Sequence, residues 1–90
     1  MTQQKKTVEL SRQQLMYLRN TSFLSTSLVH LIATAKPSGD RYQVAVSRDT
    51  AEMFRRTFTD RLAKVGFDVN YEPTSEGKVL EELIDRFYFG

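Results

Sequence analysis

Two short segments of the chain, 36 residues apart, carry one pattern. Val8-Glu9-Leu10-Ser11-Arg12 and Val44-Ala45-Val46-Ser47-Arg48 both read apolar, any, apolar, Ser, Arg. Alternating apolar residues suit a half-buried strand. A serine at the strand's end suits a helix N-cap, because its hydroxyl accepts from an otherwise free amide of the first turn. Each segment therefore prescribes a strand that turns at once into a capped helix. The same offset carries Arg19 onto Arg55 and Tyr17-Leu18 onto Met53-Phe54. Convergence on one local device explains the repeat, and so does an internal duplication. The two strands would pair about a pseudo-twofold axis, or in parallel with the first helix as crossover. In 90 residues such units make an α+β fold in one domain, 1–90.

Along the chain, residues 1–6 are polar and expected to be disordered. Thr7–Leu10 reads as a strand. Ser11 and Gln14 form a capping-box pair that starts a helix at Arg12. Leu15, Tyr17 and Leu18 begin an apolar stripe that Leu24, Leu28, Leu31 and Ala35 extend, which favours one long, kinked helix. Against it stand Asn20, Thr21, Ser22, Ser25, Thr26 and Ser27, whose side chains compete for backbone hydrogen bonds. The alternative ends the helix near Leu24 and makes residues 29–35 a strand in a hairpin with the next. In both readings residues 37–40 form a turn. Arg41–Val46 is a strand with Tyr42, Val44 and Val46 on one face. Arg48–Val65 is a helix burying Ala51, Phe54, Phe58, Leu62 and Val65, closed by Gly66 in a positive-φ conformation. Phe67–Pro73 is an extended connector whose Phe67, Val69 and Tyr71 pack down or pair as an edge strand. Thr74 or Ser75 caps a last helix to Phe87, buried through Val79, Leu80, Leu83, Ile84 and Phe87. The expected architecture is a two-stranded sheet with three helices, β-α-β-α-α.

Composition narrows the chemistry. The chain has no cysteine and one histidine, which removes disulfides, thiolate zinc sites, thiol nucleophiles and multi-histidine metal centres. His30, set among aliphatic residues, reads as a structural or surface residue and not as a general base. Glu81 and Asp85, four apart on one helix, read as solvated carboxylates. Ser75-Glu76-Gly77-Lys78 lacks the first glycine of a phosphate loop and a buried strand ahead of it. No catalytic, cofactor or metal residue is therefore expected. The longest uncharged stretch, residues 20–35, is too polar to span a bilayer. Amphipathic sequence follows Met1–Lys6 where a leader would carry an apolar run, so a cytoplasmic location is expected.

The net charge of +2 conceals a division. Residues 1–65 hold eleven basic and five acidic side chains, a balance of +6; residues 66–90 hold two and six, a balance of −4. Either the two sets face one another inside the fold, or one recruits a partner of opposite sign. Arg48, Arg55, Arg56 and Lys64 are the candidate nucleic-acid contacts on the basic helix. Met53, Tyr88 and Phe89, with acidic Glu81, Glu82 and Asp85, are the candidate partner surface, because one helix face cannot bury Phe87, Tyr88 and Phe89 together. The leading expectation is a non-catalytic protein-interaction or regulatory module, self-associating as a homodimer. The alternatives are a nucleic-acid-binding accessory protein and an immunity- or antitoxin-like inhibitor acting through its acidic last helix.

Residues 66–87 read Gly-Phe-Asp, then Tyr71, Thr74, Glu76-Gly77, Leu80-Glu81, Leu83-Ile84-Asp85 and Phe87. This segment resembles the tail G-F-D-x-x-Y-x-x-T-x-E-G-x-x-L-E-x-L-I-D-x-F of small, stand-alone bacterial proteins of unknown function. The resemblance implies a bacterial, cytoplasmic protein and assigns no activity and no functional residue. Its motif has a structural reading, in which Phe67 and Tyr71 anchor the connector, Thr74 caps, and Leu80, Leu83, Ile84 and Phe87 pack.

Overall fold

Ser11 and Ser47 behave alike in space. A computed structural model, describing residues 5–88, shows each serine with extended backbone (φ −72°, ψ 163° and φ −76°, ψ 164°). Each accepts the amide three residues on, from Gln14 at 3.1 Å and from Thr50 at 3.2 Å. At Ser11 the box closes, since its own amide donates to the Gln14 side chain at 2.9 Å. The strands before them, β1 (Lys5–Leu10) and β3 (Arg41–Ser47), pair antiparallel, with Lys6 opposite Val46, Val8 opposite Val44 and Leu10 opposite Tyr42. Val8 and Val44 are also equivalent residues of the repeat. The register is therefore symmetric about that pair, and a local twofold passes through it.

Helices α1 (Arg12–Asn20) and α3 (Arg48–Val65) leave the two strands on one side of the sheet, where Val8, Leu10, Val44 and Val46 are buried. The last helix, α4 (Ser75–Arg86), runs along α3 and also meets β1. Phe87, just past α4, stacks on Phe54 at 4.4 Å between ring centroids and lies 5.6 Å from Phe58. Removing rings of this size from water contributes about 1.5–3 kcal/mol each, so this cluster secures α4 to α3. Thr7, Glu9 and Ala45 lie on the opposite, exposed face of the sheet.

The α+β class holds, but the element count is three strands and four helices. Residues 12–35 are neither one kinked helix nor helix followed by strand. Asn20 turns its side-chain amide back onto the Met16 carbonyl at 2.9 Å and ends α1. Thr21 is extended, and Ser25 starts a separate helix, α2 (Thr26–Ala33). The break admits Leu24 to the core beside Leu28 and Ile32. The stretch expected as a turn contributes the third strand, β2 (Lys36–Ser38), leaving Gly39 and Asp40 to turn the chain into β3. Lys5 and Lys6, expected to be disordered, belong to β1 because Ser47 and Val46 give them backbone partners; residues 1–4 lie outside the described residues. Gly66 has φ −73°, so the positive-φ closure of α3 is also corrected.

Candidate functional site

Between α3 and α4 the chain makes a short, closed excursion. Phe67 and Pro73 face each other as an antiparallel bridge, and the Asp68 amide donates to the Glu72 carbonyl at 3.0 Å. The Tyr71 amide donates to the Asp68 carbonyl at 2.9 Å, which closes the turn. The Asp68 carboxylate then accepts the amides of Asn70 at 2.8 Å and Glu72 at 3.1 Å. This side chain replaces the water that those turn amides would otherwise need. Below it, Thr74 fastens the loop to the helices. Its amide donates to the Gly66 carbonyl and its hydroxyl to the Val65 carbonyl, both at 2.8 Å, while that hydroxyl accepts the Gly77 amide at 2.9 Å.

The fixed turn holds apolar side chains in water. Val69 is 94% exposed and Tyr71 87% exposed, and Phe67 at the base is half-exposed. Phe67 and Tyr71 do not anchor the connector. Tyr71 also takes φ 61°, a left-handed conformation that costs a β-carbon residue about 1 kcal/mol or more. Asp68 and Glu72, both exposed, set two carboxylates at the rim. Alternation of Phe67, Val69 and Tyr71 suggested burial; the signal against it was Asp68-Val69-Asn70 just after a helix end, a composition that favours turns.

The residues singled out from sequence are dispersed. Met53 is half-exposed on the outer side of α3. Tyr88 is more than half exposed, with the Arg55 guanidinium 5.0 Å above its ring. Glu81 and Asp85 face solvent, and Glu82 accepts a hydrogen bond from the buried Gln14 amide at 3.2 Å. Phe89 lies outside the described residues. Arg56 stands 4.0 Å from Glu52 in an exposed pair, while Arg48 and Lys64 are exposed. At about 100° per residue, Arg48 and Arg55 share one edge of α3 and Lys64 points nearly the opposite way, so the four cations do not compose one face.

A second feature is an open cleft of about 650 Å³ where α1, α3 and α4 meet. Tyr17 donates to Glu76 at 2.6 Å, and Arg61 donates to the same carboxylate oxygen at 3.3 Å. Burial, then the Glu76 hydrogen bond and charge, raise the Tyr17 pKa above its ordinary value, with Arg61 opposing. The Arg61–Glu76 pair also joins the basic body to the acidic tail. Among the described residues, no three His, Cys, Asp or Glu side chains converge as a metal site, and no helix is long and apolar enough to cross a membrane. No protein-family model, curated protein or solved structure matches the chain.

Proposed function

We propose that this chain is a non-catalytic protein-interaction module whose contact residues are Val69 and Tyr71. The observation that carries this reading is their near-complete exposure on a turn whose backbone is closed by Asp68. Covering such side chains releases about 1.5–3 kcal/mol each, and a turn already ordered loses little entropy on binding. A partner suited to this loop offers an apolar pocket with a basic rim for Asp68 and Glu72. The resemblance of the tail supports a bacterial, cytoplasmic setting.

The test is capture from a lysate of the source cells by immobilised wild type and by V69S/Y71S. Exposed substitutions of this kind leave stability within about 0.5 kcal/mol, so both forms fold. A protein retained by the wild type and lost with the variant supports the reading. The same retained set with both forms overturns it.

A further inference from the structure

The sheet order β1-β3-β2 leaves two edges, and they differ. Strand β2 is three residues long and carries Pro37, which has no amide to offer a further strand. Strand β1 has six residues without proline or glycine, and its outer backbone groups face no other strand among the described residues. We infer that β1 pairs antiparallel with β1 of a second copy of this chain, the register centred on Thr7.

Two requirements select that register. Residues opposite each other in an antiparallel pair lie on the same face. Val8 and Leu10 face the core, and Thr7 and Glu9 face solvent, so the axis must pass through a residue and not between two. Charge then chooses among residues. Centring on Thr7 sets Lys5 against Glu9 of the partner subunit, and symmetry makes this pair twice. Centring on Val8 sets Glu9 against Thr7 and Lys6 against Leu10, with no ion pair. A lysine on an edge strand ordinarily repels a second strand. Here Lys5 has a complementary Glu9 at the matching position, and Lys6 directs its ammonium to the Tyr88 carbonyl of its own chain at 3.3 Å. Joining the β1 edges makes a six-stranded sheet ending on both sides in the proline-guarded β2. The exposed loop at 67–73 takes no part. A strand edge of this size buries less than a standard interface, so the dimer is concentration-dependent.

The chain has no cysteine, so single-cysteine variants report the register directly. Under mild oxidation T7C should link to itself, E9C should not, and a K5C and E9C mixture should give the mixed dimer. In sedimentation equilibrium, E9K should weaken the dimer about tenfold, since each cross-strand charge pair contributes a fraction of a kcal/mol and two are reversed. K5E/E9K should restore it, and V69S/Y71S should leave it unchanged. A monomer at every concentration, linkage centred elsewhere, or a dimer abolished by V69S/Y71S would overturn the inference. None of these except the last bears on the loop's heterologous partner.

Discussion

Gly77 lies directly against the backbone of Gly66. A β-carbon built on Gly77 falls 2.8 Å from the Gly66 α-carbon and onto its carbonyl oxygen, while one on Gly66 meets Leu62. The missing β-carbon of Gly77 lets the first turn of α4 touch the end of α3, and that of Gly66 leaves room for Leu62 of its own helix. Both are helical or nearly so, and neither has a positive φ; the demand is for space.

G77A should therefore destabilise the fold by about 1–3 kcal/mol through overpacking against backbone that cannot move aside. Thermal or urea unfolding reads this. The sign is informative, because glycine to alanine inside an unconstrained helix gains up to about 1 kcal/mol. A stabilised G77A would mean that the two helices do not touch there.

T74V keeps the shape of Thr74 and removes its hydroxyl. The Gly77 amide loses its cap and the Val65 carbonyl its donor, a cost of about 1–3 kcal/mol. T74S retains both bonds and should lie much closer to the wild type in urea midpoint.

Y71N tests the backbone at the turn. Asparagine accepts the left-handed region more readily than tyrosine, and the lost side chain is exposed. The variant should be as stable as the wild type or more stable by about 0.5–1 kcal/mol, while losing the partner capture described above. A loss beyond about 1 kcal/mol would show that Tyr71 packs on its own chain.

Tyr17 gives a pH dependence of definite sign. Its pKa is raised in the fold, by burial first and Glu76 second, above an ordinary value near 10. The stabilising preference for the neutral phenol is complete below that ordinary value and is lost as pH rises towards the folded one. Stability should fall more steeply above pH of about 10 in the wild type than in Y17F. Equal slopes in urea titrations of the two proteins would contradict it.

Local chemistry made much of this fold legible. Ser11 and Ser47 announced their helices because an N-cap acts within three residues, and of the two candidates for the last helix, Thr74 and Ser75, it is Thr74 that caps α4. What stayed hidden turned on competition between local signals and on which surfaces other elements cover. Apolar spacing through Leu24 and Leu28 outweighed the polar run from Asn20 to Ser27, yet it is that run, with Asn20 bonded back to Met16, that breaks the helix. β2 is too short to show a period, and exists because Gln43 and Tyr42 offer it backbone partners. Alternation at Phe67, Val69 and Tyr71 was real, yet among the described residues these side chains stay exposed, so the alternation did not mean burial.

The proposed function stands on residues 69–72 being held still while uncovered, and amide nitrogen-15 relaxation measures that directly. Order parameters there should be about 0.85, matching those in α3. Values below about 0.6 at Val69 and Tyr71 would contradict a preformed contact loop.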